Sequence, residues 1–199
     1  MAWCLPVIEV EVKAWVKDRR TFEDLPRRIA QLGVLEEKSY TQRDIYFAHP
    51  SRNFLLTDEA LRIRIEDGKC EMTYKGPKID KLSKTRVEIT LKVDDCEKAI
   101  EFLRRLGFSE VMEVVKERRV FKVPYKGREV KVSLDEVKNL GTFIELECTV
   151  DNEEKIPHAR DDLLSLLECL GISKEMTERR SYLELLLFSE EAANHNVTN

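Results

Sequence analysis

The 199-residue chain lacks any 18-residue apolar run, and no basic stretch followed by an apolar one opens it. Neither a membrane-spanning helix nor a secretory leader is therefore expected, and the location expected is cytoplasmic. Neither G-x-x-x-x-G-K-[ST] nor G-x-G-x-x-G occurs among its 7 glycines, which disfavours P-loop and dinucleotide-fold phosphate binding. Cys4, Cys70, Cys96, Cys148 and Cys169 form no C-x-x-C pair, and their number is odd. Neither a disulfide framework nor a cysteine zinc site is expected of them. His49, His158 and His195 lack metal-ligand spacing and read as surface residues. A net charge of -4 argues against broad electrostatic binding to nucleic acid.

Charge is nonetheless abundant, at 36% of residues against 42% hydrophobic, and it is ordered along the chain. Period-two alternation predicts strands over residues 5–15, 38–48, 60–66, 70–76, 86–93, 111–123, 128–135 and 142–150. Asp67-Gly68 marks a hairpin turn. Helices are expected over 21–32, with Thr21 and Asp24 as a capping box, from Asp94 or Asp95 to Leu106, over 161–170, and over 177–187. No linker or repeat divides the chain, so one domain over 1–188 is expected, with a frayed tail over 189–199.

Most strands carry ionisable residues of both signs on one face. Arg62 and Arg64 alternate with Leu61, Ile63 and Ile65; Glu71, Thr73 and Lys75 alternate with Met72 and Tyr74. Arg86 and Glu88, then Lys131, Ser133 and Asp135, then Glu145 and Glu147, repeat the pattern. Alternation alone also fits an open antiparallel sheet with one wet face. Eight strands suffice to close a small barrel, however, and amphipathic helices can cover only the apolar face. The expected fold is α+β: an eight-stranded antiparallel barrel with helices packed outside.

Closure would gather two opposed sets inside. The acids are Glu9, Glu11, Glu88, Asp135, Glu145 and Glu147. The bases are Lys13, Arg62, Arg64, Lys75, Arg86 and one or two of Lys116, Arg118 and Arg119. Carboxylate oxygens suit hard divalent cations, and Arg forks and Lys ammoniums suit phosphate. A lumen holding both sets suits a metal–polyphosphate complex.

Val7-Ile8-Glu9-Val10-Glu11-Val12-Lys13 contains E-x-E-x-K near the start of a strand. Gln42-Arg43-Asp44-Ile45-Tyr46-Phe47, Leu61-Arg62-Ile63-Arg64, Thr73-Tyr74-Lys75-Gly76-Pro77 and Arg86-Val87-Glu88 follow. Leu134-Asp135-Glu136-Val137 and Phe143-Ile144-Glu145-Leu146-Glu147 complete the series. In kind and order these segments resemble the CYTH superfamily, the triphosphate tunnel metalloenzymes. Arg180-Ser181-Tyr182-Leu183-Glu184-Leu185-Leu186 further resembles the class IV adenylyl cyclase subgroup. Where that family often adds a Glu two residues after R-x-E, this chain has Thr90.

The resemblance implies Mg²⁺ or Mn²⁺ held by Glu9, Glu11, Glu145 and Glu147 with Asp135 as helper. It implies phosphate bound by Lys13, Arg62, Arg64, Lys75, Arg86, Lys116 and Arg118, with Arg119 the rival of Arg118 for the lumen. Glu9, Glu11 and Lys13 are the catalytic candidates, and Glu88 stands equally as ligand or ion-pair partner. The activity implied is either cyclisation of ATP to cyclic AMP and pyrophosphate or hydrolysis of a nucleoside, inorganic or thiamine triphosphate. A non-catalytic polyphosphate- or nucleotide-binding module and a ligand-free sheet protein are the alternatives. A small-molecule triphosphate is the expected partner; no nucleic acid or membrane partner is expected, and a homodimer is left open. Tyr46 and Phe47 read as packing residues, Tyr182 as the anchor of the last helix, and Lys78, Lys81 and Lys84 as a solvated loop.

Overall fold

A computed structural model describes residues 8–79 and 85–197, with side chains described as far as residue 189. Residues 5–7 of the first expected strand, and Lys81 and Lys84, lie outside the described residues. The strands are β1 (Ile8–Trp15), β2 (Glu36–Ala48), β3 (Ala60–Glu66), β4 (Lys69–Lys78), β5 (Arg86–Val93), β6 (Ser109–Tyr125), β7 (Arg128–Val137) and β8 (Gly141–Val150). They close an antiparallel barrel in the order β1-β5-β4-β3-β2-β6-β7-β8. β1 pairs along its whole length with β8, from Ile8 opposite Val150 to Trp15 opposite Phe143. β1 meets β5 at the Glu9–Arg86 pair, which brings an acid and a base together where the circle closes.

Turn chemistry explains the tight hairpins. Asp67 and Gly68 take φ of 47° and 74°, the left-handed pair that matches the twist of the flanking strands. Lys126 and Gly127 repeat the device at 45° and 76° between β6 and β7. The helices are α1 (Arg19–Ala30), α2 (Cys96–Arg105), α3 (Ile156–Cys169) and α4 (Tyr182–Val197). Helix α1 begins earlier than the expected capping box because Asp18, not Thr21, caps it, accepting from the Thr21 amide at 2.8 Å. Helix α3 also starts earlier, with Pro157 in its first turn. Helix α4 starts later than expected, at a capping box in which the Glu184 amide donates to Ser181 Oγ at 3.1 Å and the Ser181 amide to Glu184 Oε2 at 2.5 Å. It runs past the expected end at 187 to Val197.

The apolar strand faces point outward and pack beneath these helices. Val10, Val12, Leu146, Val130 and Val132 meet Leu25 and Ile29 of α1 and Leu163, Leu166 and Leu167 of α3. Ile45, Phe47 and Ile63 meet Leu103 of α2. Coverage is not complete: Ile89 and Leu91, on the apolar face of β5, are 56% and 54% exposed. A disulfide joins Cys70 of β4 to Cys96, the first residue of α2, against the expectation that the cysteines stay unpaired. Packing α2 across β3 and β4 brings their Cα atoms to 5.6 Å across a separation of 26 residues, a proximity that spacing does not reveal.

Candidate active site

Because alternate residues of a strand face opposite ways, the register that buries Val10 and Val12 outside directs Glu9, Glu11 and Lys13 inward. The same rule places the charged faces of β3, β4, β5, β7 and β8 around the axis. They enclose a cavity of about 370 Å³. Every site residue designated from sequence lines it except Lys13 and Asp135. Both of these are buried in its wall instead, at 1% and 0% exposure. The choice between neighbouring arginines is resolved: Arg118 is buried in the lumen, whereas Arg119 lies outside and pairs with Glu37 at 2.6 Å.

The cations converge from four strands, β3, β4, β5 and β6. Arg64 grips Asp44 with two hydrogen bonds of 2.6 and 2.7 Å, and Arg62 and Lys116 each approach the same carboxylate to 3.7 Å. Burial opposes ionisation of Asp44, but the Arg62, Arg64 and Lys116 charges hold its carboxyl far below the usual range. Among the described residues the buried Arg62 Nε finds no hydrogen-bond partner, and it is a donor that an anion entering the lumen could satisfy. Burial, then Arg118 and Arg64, bring the Lys116 ammonium down from 10.5 to about 7. The lumen is therefore short of negative charge at this point. Lys75 pairs with Glu88 at 2.5 Å, and Arg86 lies 3.4 Å from Asp58 Oδ1. Lys78, from the loop expected to be solvated, also pairs with Asp58 at 2.5 Å.

The acids are crowded in turn. Burial, and then hydrogen bonding to Glu147, push the Glu9 carboxyl up to about 9. Glu147 is buried too, yet the Glu9 hydrogen bond and the Lys131 ammonium hold it down to about 2. At neutral pH the two carboxyls therefore share one proton, carried by Glu9. Lys131 donates to Glu147 at 2.9 and 3.2 Å. Arg118 binds Asp135 through Nε at 2.6 Å and through Nη2, which also reaches Glu145. The Tyr182 hydroxyl donates to Asp135 Oδ2 at 2.7 Å. Lys13 lies 4.2 Å from the centre of the Tyr182 ring and donates to the Arg180 carbonyl.

Sequence reasoning left several lumen residues out of its site set, Asp58, Glu59 and Glu71 among them. Asp44 and Tyr46 share the inward face of β2, where Ile45 and Phe47 point to α2, so the alternation rule could have found them. Lys131 stood in the alternating set of β7 but was not counted among the bases. Tyr182 does anchor α4, its ring 4.9 Å from that of Phe143, and also lines the cavity. Thr90, in the place of the extra Glu, hydrogen-bonds Thr73 at 3.0 Å within the cavity wall.

The donor set fits a hard divalent cation in kind. It offers carboxylate oxygens alone, two of which share a proton that a cation would replace. Among the described residues no three His, Cys, Asp or Glu side chains are gathered into a ready-made cluster. Arg118 holds Glu145 and Lys131 holds Glu147, so a cation would have to draw them over.

Comparison with known proteins agrees with this geometry. Residues 7–182 match the model of the CYTH domain. A protein of Methanocaldococcus jannaschii named as a candidate adenylate cyclase is 42% identical, covering 90% of this chain and 98% of its own. An adenylate cyclase of Aeromonas hydrophila is 29% identical, over 89% of this chain and 87% of its own. A solved Pyrococcus horikoshii structure is 44% identical, superposes with a TM-score of 0.80, and covers 91% of this chain and 99% of its own.

Proposed function

The chain belongs to the CYTH domain family, and from that premise we propose that it is a metal-dependent enzyme acting on a triphosphate held in the barrel lumen. One observation carries this reading: the opposed cationic and acidic sets line a single cavity of about 370 Å³. Asp44 sits among Arg62, Arg64 and Lys116 as a phosphate group would, and a polyphosphate chain can compete for the same donors. Lys75 and Arg86, on β4 and β5, extend the grip along the chain. Glu9, Glu11, Glu145 and Glu147 would hold Mg²⁺ or Mn²⁺, while Asp135 fixes Arg118 from behind. When bound, the cation supplies neutralisation of charge on the phosphate oxygens.

The protein's own residues position and neutralise. Arg62, Arg64 and Lys116 orient the phosphates; Tyr182 and Lys13 brace the wall; Glu9 gives up its proton before its carboxylate can serve as a ligand. Of the two chemistries, we favour attack of the ribose 3′-hydroxyl on the α-phosphorus with departure of pyrophosphate, because the two relatives above bear cyclase names. Water attack on the terminal phosphorus is the second reading, since the same grip serves both. The test is to offer ATP, inorganic triphosphate and thiamine triphosphate to the purified protein, with Mg²⁺ and with Mn²⁺, and to identify the products. Cyclic AMP with pyrophosphate supports the first reading, and orthophosphate the second. Binding without any product overturns both in favour of a non-catalytic module.

A further inference from the structure

Strict alternation along β4 sends Lys75 inward and would leave Lys78, three residues on, on the outer face. The β4–β5 ladder instead passes from Lys75 opposite Glu88 to Lys78 opposite Arg86, so Gly76 and Pro77 together face Val87. That extra residue turns Lys78 to the side of Arg86. Glycine suits the bulge because the Val87 carbonyl lies 3.5 Å from where a Cβ would stand. The two side chains end up 11% and 9% exposed.

Both cations close on Asp58, in the loop between β2 and β3. Lys78 Nζ donates to Asp58 Oδ1 at 2.5 Å, and the Lys78 amide donates to Oδ2 at 2.8 Å. Arg86 donates to the Asp58 carbonyl at 3.3 Å and to Oδ1 at 3.4 Å. Asp58 takes φ of 54°, in the left-handed region, which its surroundings must hold. The loop is braced accordingly. The Asn53 carbonyl accepts from the Leu56 and Thr57 amides at 3.1 Å each, and the Glu59 amide donates to the Phe54 carbonyl at 2.9 Å. Glu59 is fixed in turn by the Tyr74 hydroxyl at 2.6 Å. Asp58 and Arg86 both line the lumen. A braced loop thus sets one carboxylate on two cations in the manner of a phosphate oxygen.

We propose that Lys78 is a further phosphate-binding residue, and that Asp58 is an internal anion that competes with the substrate for Lys78 and Arg86. The proposal rests on the triphosphate reading of the lumen. Asp58 is tethered, so it meets its two cations at an effective concentration that a free anion does not reach. A triphosphate gripped by Arg62, Arg64 and Lys116 is tethered too, and brings its remaining phosphates to the same pair with more charge. The displaced carboxylate, 37% exposed, turns to water. A fragment left after cleavage has fewer anchors, loses the exchange to Asp58 and is released.

Titration calorimetry on the full chain with inorganic triphosphate and Ca²⁺ tests this. Asp58→Asn and Asp58→Gly, both compatible with a left-handed backbone, should each tighten triphosphate by on the order of tenfold, because the competing charge is gone. Triphosphate should then raise the thermal midpoint of either variant further than it raises that of the wild type. Lys78→Met should change the wild-type affinity by no more than about threefold, since it removes the phosphate contact and the hold of Asp58 together, but should cost about tenfold in the Asp58→Asn background. Unchanged or weaker binding in either Asp58 variant, or an equal effect of Lys78→Met in both backgrounds, would overturn the competition and leave the lumen reading intact. A wild type that does not bind triphosphate would overturn both.

Discussion

Replacing Lys116 with methionine should make the ligand-free protein more stable and its hold on triphosphate weaker. Lys116 is 3% exposed, and its ammonium falls from the ordinary 10.5 to about 7, chiefly through burial and then through Arg118 and Arg64. At about 1.4 kcal/mol per pH unit, that fall amounts to about 5 kcal/mol of cost to the folded state. Between pH 7 and 10.5 the unfolded chain holds a proton on this lysine that the folded chain has released. Wild-type stability attributable to this group therefore rises with pH through that window; the cost is whole below about pH 7 and gone above about pH 10.5. Methionine fills similar space without charge, and Asp44 keeps its two Arg64 hydrogen bonds at 2.6 and 2.7 Å, so no carboxylate is left unpaired. Urea unfolding at about pH 6.5 and about pH 9.5 should show the variant ahead by about 1–4 kcal/mol at the lower pH, with the gap closing at the higher. Triphosphate affinity should fall about tenfold to a hundredfold with loss of one charge-assisted contact. A gap that does not change with pH, or a wild type that is the more stable at the lower pH, would refute the reasoning.

Glu9→Gln mimics the protonated carboxyl already present at neutral pH, so its thermal midpoint should stay close to that of the wild type while turnover collapses; undiminished turnover would remove Glu9 from the site. Arg118→Leu strips a buried partner from both Asp135 and Glu145 and should cost about 3–5 kcal/mol in urea unfolding. Arg119→Ala, outside the barrel, should leave the midpoint unmoved, and equal effects of the two would contradict the inward placement of Arg118 alone. Triphosphate with Mg²⁺ at about a hundred times its dissociation constant should stabilise the protein by about 2.7 kcal/mol, read as a raised thermal midpoint. An unmoved midpoint would favour a sheet protein without a ligand.

The barrel and most of its lining were legible because a strand writes its two faces into the sequence with a period of two. Arg62 and Arg64 could not face the axis without Ile63 facing α2, so burial of one face determined the other. Helix starts were less legible, since several residues near Asp18 and Ser181 are chemically able to cap and only the folded backbone selects one. The Cys70–Cys96 bond and the Tyr182–Asp135 hydrogen bond join positions 26 and 47 residues apart, and no period connects such pairs.

Within the lumen, the sequence separates acids from bases by type, whereas the fold interleaves them. Arg118 holds Asp135 and Glu145, Lys131 holds Glu147, Lys75 holds Glu88, and Asp44 holds three cations. That interleaving follows from electrostatics, because a buried surplus of either sign costs several kcal/mol per charge unless it is matched. A metal–triphosphate complex carries both signs itself, so it can exchange partners with each set at once. A bare anion or a bare cation would satisfy one set and leave the other exposed to its own repulsion. Each component should therefore bind far more weakly alone than the pair does together, and comparable affinity for triphosphate with and without divalent cation would break the argument.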